Sequence, residues 1–267
     1  MLSNAEISEL SRLKDKKART EKRKFLIEGK RALLEAMDGD ADISEIIVSL
    51  GVDSSKLADV YSAAEEKGIN VEEVPVAKFS KLSSTETSQG IVAIAGIRNT
   101  TSDDLLSEIR SKHAAMLLML DRISDPGNLG TILRSAAWFG VDGVVTAGGS
   151  VDAYNPKVVR SAMSAICQLN VLQDVVLTDE VKQLKKLGFT VVGSVQDASL
   201  SYTDFSYPRR VAVVLGAEAT GISADLLKLC DSKVAIPRVG KMESLNVGVA
   251  ASIILAEIAR QKQQSKG

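Results

Sequence analysis

From residue 115 onward, short apolar runs alternate with stretches of helical periodicity, and this alternation leaves few folds open. Residues 115–120 (AMLLML) read as a strand, 129–139 as a helix and 143–146 as a second strand. Helices follow near 156–165 and at 180–187, strands at 189–193, 211–215 and 233–236, and a closing helix at 246–261. Strand, helix, strand in regular succession predicts an α/β domain built on a parallel sheet. Residues 1–97 carry a smaller α/β pattern: a helical stretch at 28–37, a strand at 43–48, a helix at 57–66 and an apolar strand at 90–97. The polar start RNTTSDD and the short helical pattern of 105–109 mark 98–113 as a linker, so the domains are expected at 1–97 and 114–267. The polar tail QKQQSKG is expected to fray.

Composition narrows the class. With 45% hydrophobic and 25% charged residues the chain resembles an ordinary globular protein. Its longest apolar candidate, 250–256, is bounded by Asn246 and Glu257 and is too short to span a membrane. Nothing at the start resembles a basic, then apolar, leader, and a cytoplasmic location is expected. Cys167 and Cys230 lie far apart with no CxxC, which fits a reducing compartment and two small buried residues, without structural zinc. The formal net charge of −1 makes no global case for nucleic acid. Locally, KDKKARTEKRK (14–24) holds seven basic and two acidic residues. A solvated helix face is one reading of this run, and phosphate contact through Lys14, Lys16, Lys17, Arg19, Arg23 and Lys24 is the other.

A single histidine, His113, removes Ser-His-Asp and HExxH chemistry. GAEATGIS (216–223) lacks the Lys-Ser/Thr of a Walker loop, and DRISDPGNLG lacks the glycine fingerprint of a dinucleotide fold. Three turns of the second domain carry residues that ordinary turns do not need. DRISDPGNLGTILR (121–134) has a Pro126-Gly127 turn, Asn128 placed to cap the helix, and Arg134 pointing away from an apolar face of Leu129, Ile132, Leu133, Ala136, Ala137 and Gly140. VAVVLGAEATGIS (211–223) runs a strand into Gly216, where a backbone could approach a ligand, and then Glu218. IPRVGKMESLN (236–246) ends a strand and leads through Ser244, a ready N-cap, and Asn246 into the last helix.

In this order NLGTILR, LGAEATGIS and IPRVGKMESLN resemble the three motifs of the SpoU/TrmH family of RNA ribose methyltransferases, and KFLIEGKRALLEAM with TETSQGIVAIAGI resembles the ribosomal-protein-like substrate-binding domain that accompanies many members. The resemblance covers about residues 114–262 and, with the N-terminal part, nearly the whole chain. It implies an α/β domain with a deep trefoil knot, a homodimer, S-adenosylmethionine as cofactor and RNA as partner, with ribosomal RNA favoured. Alternatives are transfer RNA or a non-catalytic RNA-binding protein of the same fold. Carried to matching positions, Leu215, Gly216, Ala217, Ile236 and Leu245 would line the cofactor. Asn128, Arg134, Glu218, Ser244 and Asn246 would form the catalytic region, and no metal is implied. Two positions depart from the family pattern: Arg238 stands where methionine is frequent, and Ala219 where glycine often follows the motif glutamate. The implied chemistry needs a hydroxyl proton removed. Arginine, with a pKa above about 12, is a poor acceptor, so Arg134 is expected to grip the adjacent phosphate and stabilise the developing alkoxide, the proton passing to that phosphate or to water.

Overall fold

The computed structural model describes residues 2–39 and 41–264. Two compact units divide the chain: residues 1–99 with 154–168, and residues 100–153 with 169–267.

The first unit is built on a four-stranded sheet of β1 (Lys24–Glu28), β2 (Ile43–Ser49), β3 (Val71–Val74) and β4 (Ile91–Gly96), in the order β1-β4-β2-β3. β4 is antiparallel to both its neighbours, whereas β2 and β3 run parallel. The continuous apolar run of β4 reflects this central place, since every residue from Ile91 to Ala95 is buried. Strand β1 was not anticipated, because its three apolar residues Phe25, Leu26 and Ile27 follow directly on the basic run and precede a strongly helical segment. Gly29, at φ 103°, makes the break between that strand and the helix Lys30–Asp38. The helices Pro156–Ala162 and Ala165–Gln168 also belong to this unit, the first packing on β1 and the Tyr154 ring lying tilted against Phe25 with centroids 4.9 Å apart. The helix read at 156–165 is interrupted at Met163, whose φ of 58° and ψ of −135° suit glycine far better than methionine.

The second unit holds a six-stranded, wholly parallel sheet of β5 (Ala115–Asp121), β6 (Gly143–Ala147), β7 (Val171–Val175), β8 (Thr190–Ser194), β9 (Arg210–Gly216) and β10 (Ser232–Val234). Their order is β10-β8-β9-β5-β6-β7, so β5 and β9 share the centre and are buried almost throughout. The stretch 98–113, read as a linker, contains the helix Ser102–Ser111, and its Leu105, Leu106 and Ile109 join the core of this unit. The helix Pro126–Trp138 buries Leu129, Gly130, Ile132, Leu133 and Ala136; Ala137 is only half-buried, and Gly140 is exposed beyond the helix end. The last helix, Val247–Gln264, runs further than the frayed tail foresaw, while residues 265–267 lie outside the described residues. It packs along Pro126–Trp138 with Gly248 close against Thr131, where an added Cβ would lie 3.0 Å from the threonine methyl, and with Ser252 bonded to Ser135 at 2.7 Å. One turn separates each contact residue from the next on both helices, so the two run in the same direction and their N-termini lie side by side.

Neither cysteine is fully buried; both are free and half-buried, and burial pushes each thiol up to about 11. His113 is exposed and contacts Arg209.

Candidate active site

The C-terminal ends of β5, β8 and β9 converge with the loop before the last helix, the place where open parallel sheets bind ligands. Asp125, rather than Asn128, caps the helix Pro126–Trp138: its carboxylate accepts the Asn128 backbone N–H at 2.8 Å, with Pro126 favoured at the first position. Asn128 is thereby free to turn its side-chain amide outward in the first turn. At the neighbouring N-terminus Asn246, rather than Ser244, is the cap, its Oδ1 accepting the backbone N–H groups of Gly248 at 2.9 Å and Val249 at 3.2 Å. Asn246 Nδ2 then donates to Asn128 Oδ1 at 2.7 Å, and Asn128 Nδ2 donates to Glu218 Oε1. Three distant segments meet in one directional chain, from helix amides through two asparagines to a carboxylate set at helix N-termini, where negative charge is favoured.

Glu218 also lines a cavity of about 820 Å³, within the range of small-molecule sites. Its walls include Leu215, Gly216, Ala217, Ile236 and Leu245, the predicted cofactor positions, together with Ser244. Gly216 is needed for a reason different from ligand approach: a Cβ there would collide with the backbone of Gly221 and Ile222, where the loop folds back on itself. Ser244 is exposed and, among the described residues, forms no hydrogen bond to the asparagine chain. Arg134 is exposed on the helix and has no hydrogen-bond or ion-pair partner among the described residues. Arg238 and Ala219, the two departures from the family pattern, both line the cavity, Arg238 donating to the Met242 carbonyl at 3.3 Å.

Residues not singled out from the sequence complete the site. Gln196 and Asp197 enter the wall from the end of β8, and Ile222 and Val247 add apolar surface. Asp121, at the end of β5, is 4% exposed and accepts the Ser223 N–H at 2.7 Å. Burial works to raise its pKa, but Ser223 and the adjoining Arg122 guanidinium outweigh it and hold the carboxyl below the usual range. An acidic residue closing an otherwise apolar strand, AMLLMLD, was the available signal.

The basic run lies in the first unit. Arg19 is 3% exposed and its guanidinium donates to the carbonyls of Leu13 at 2.9 Å and Lys14 at 2.6 Å, so it holds the chain turn and is not available to phosphate. Lys16, Lys17, Arg23 and Lys24 are exposed and Lys14 is half-buried; Lys17 pairs loosely with Glu21 at 3.9 Å.

The profile of the SpoU rRNA methylase family matches residues 115–256, and that of the MRM3-like substrate binding domain matches residues 4–93. The chain belongs to the SpoU rRNA methylase family. Among SpoU relatives, the 23S rRNA (guanosine(2553)-2′-O)-methyltransferase RlmP of Bacillus subtilis is 32% identical over 252 residues, covering 94% of this chain and 95% of its own. A crystal structure of an RNA 2′-O ribose methyltransferase superposes with a TM-score of 0.82 at 32% identity, covering 98% of this chain and 97% of the other. The SpoU methyltransferase AviRb of Streptomyces viridochromogenes, in complex with AdoMet, gives a TM-score of 0.83 at 26% identity, covering 98% and 99%.

Proposed function

We propose that this chain transfers a methyl group from S-adenosylmethionine to a ribose 2′-hydroxyl of RNA, with 23S ribosomal RNA as the substrate. The observation that carries the reading is the join between the asparagine chain and the cavity at Glu218. The cavity suits the cofactor in kind: Leu215, Ile222, Ile236, Leu245 and Val247 offer apolar walls for a base, and Asp197, Glu218 and Glu243 bring carboxylates to a ligand bearing positive charge and hydroxyl donors. When bound, S-adenosylmethionine supplies an electrophilic sulfonium methyl group.

The remaining work falls to this chain's own side chains. Asn128 and Asn246 hold each other in fixed amide orientations and present Glu218, whose second oxygen is open to a substrate hydroxyl or cofactor group. Arg134, exposed and without a partner among the described residues, grips the phosphate beside the target ribose and stabilises the developing alkoxide, and the proton leaves to that phosphate or to water. Ser244, at the cavity wall, orients the bound groups. Lys14, Lys16, Lys17, Arg23 and Lys24 contact RNA phosphates from the first unit.

The same reading extends to a homodimer, a trefoil knot and the cytoplasm. Trp138, 83% exposed at a helix end, is the kind of apolar surface that a second copy would cover. Insertion of β9 between β5 and β8, with the last helix returning onto Pro126–Trp138, is consistent with a threaded chain. Among the described residues no helix is long and apolar enough to cross a membrane. The deciding experiment incubates the purified chain with labelled S-adenosylmethionine and unmodified ribosomal RNA, then maps ribose methylation. Arg134→Ala is expected to lower kcat by at least about 10²-fold with S-adenosylhomocysteine affinity unchanged. Equal loss of both would remove Arg134 from the chemistry.

A further inference from the structure

The loop that carries Glu218 leaves the sheet beside the backbone of Asp121 and returns to the buried carboxylate of the same residue. It leaves β9 at Gly216, which lies directly opposite Asp121 in the parallel register of β5 and β9. It turns back at once: Gly221 donates to the Ala217 carbonyl at 2.8 Å in an isolated bridge, with Gly221 at φ 64° and with no room for a side chain at Gly216. It then returns to Asp121, whose Oδ2 accepts the Ser223 N–H at 2.7 Å. Oδ1 of the same carboxylate accepts Arg122 Nε at 2.9 Å. Asp121 is 4% exposed, so the Ser223 bond is not readily replaced by water, whereas Arg122 reaches the carboxylate from the exposed side.

Asp121 lines no part of the cavity, yet the loop it closes supplies Ala217, Glu218, Gly221 and Ile222 to the wall. On the reading of the protein as a methyltransferase, we propose that Asp121 is a positioning residue for methyl transfer, its carboxylate clasping the returning end of the 217–222 loop at Ser223 so that Glu218 meets Asn128 and the cofactor wall keeps its shape. A purely structural salt bridge predicts something else. Arg122 is 44% exposed at its side chain, so its pair with Asp121 contributes little, and a carboxylate with a purely structural role would, when removed, lower melting temperature and turnover in step. A clasp predicts loss at the site that follows the Ser223 bond, because misplacing a catalytic group by about 1 Å costs on the order of 10²-fold in rate. Asparagine keeps an acceptor for the Ser223 amide, so it should rescue what alanine loses.

The test uses the full chain with Asp121→Ala and Asp121→Asn and three measurements: hydrogen exchange of peptides spanning 216–223, S-adenosylhomocysteine affinity by calorimetry, and kcat and KM for methyl transfer to ribosomal RNA. Alanine should deprotect the loop, weaken cofactor affinity about tenfold and lower kcat on the order of 10²-fold. Asparagine should restore protection and most of both functions. The proposal is overturned if alanine leaves loop exchange and affinity as in the wild type, or if both variants lose function only in step with melting temperature. Should alanine fail to fold, the asparagine variant decides: retained protection at Ser223 supports the clasp, and loss of function with that protection intact overturns it. Absence of methyl transfer by the wild type would instead defeat the proposed function, while exchange and cofactor affinity would still report on the clasp.

Discussion

Glu28 in the first unit and Glu218 in the second are both carboxylates set against polar loops, but one is saturated and the other nearly open. Glu28 accepts the hydroxyls of Ser83, Ser84 at 2.7 Å, Thr85 at 2.8 Å and Ser88 at 3.1 Å, and the backbone N–H of Ser84 at 3.0 Å. Burial pushes its pKa up, yet these donors outweigh burial and bring it down to about 2. Arg160 donates in turn to the Ser84 hydroxyl. Glu218 is exposed and, among the described residues, accepts from Asn128 alone. A carboxylate has about four acceptor positions. Filled by its own loop, it fixes a shape. Held by a single amide, it leaves its remaining positions open.

The comparison can be broken most severely at the asparagines. If Asn128 and Asn246 act as one unit in presenting Glu218, Asn128→Ala and Asn246→Ala should each lower kcat on the order of 10²-fold, and the double variant should be scarcely worse than either. Multiplying losses in steady-state kinetics would show independent roles. At Glu28 the expected effect is on stability. A depressed carboxylate pKa stabilises the fold above its unfolded value, near 4.5, and that contribution is lost as pH falls toward about 2. Discounted for the half-exposed position, it amounts to about 1–2 kcal/mol. Thermal melts of the wild type and Glu28→Gln should therefore differ fully above pH ~5 and converge as pH drops toward about 2; a gap that stays constant would show that the charge is not what organises the loop.

Smaller effects sharpen the contrast within the first unit. Met163 holds φ 58° and ψ −135° between two helices, and Met163→Gly is expected to raise stability by about 1 kcal/mol, or roughly 2–4 °C in Tm by calorimetry. A lower Tm would mean that the side chain's packing outweighs its backbone strain. The smallest expected effect is at Lys17, which is 84% exposed at its side chain. Lys17→Ala should weaken RNA binding evenly across sequences and reduce the slope of log affinity against log salt by about 1. An unchanged slope would place the RNA elsewhere.

Much of the α/β order was legible because periodicity is local. The runs at β5, β6 and β9 and the last helix need only their own residues to declare themselves. Strands β1, β3 and β7 escaped notice, since KFLIE, VEEV and VLQDV are short or carry charges that dilute the pattern. Both helix caps were misplaced by one candidate. Asp125 and Asn128 are each good cap residues, as are Ser244 and Asn246, and propensity does not choose between two acceptable residues a few positions apart. Arg19 reads like its basic neighbours until burial shows its guanidinium turned onto carbonyls.

By itself the sequence determined the family, the parallel α/β scaffold and the ordered motifs that bear Asn128, Arg134, Glu218, Ser244 and Asn246, because each of these is encoded in contiguous residues. Tertiary structure decided which of them touch. Asn128 meets Glu218 and Asn246 only because two parallel helices pack N-terminus beside N-terminus and a loop doubles back beside Asp121. Contacts across 90 and 118 residues depend on the path of the whole chain, and no local pattern carries them.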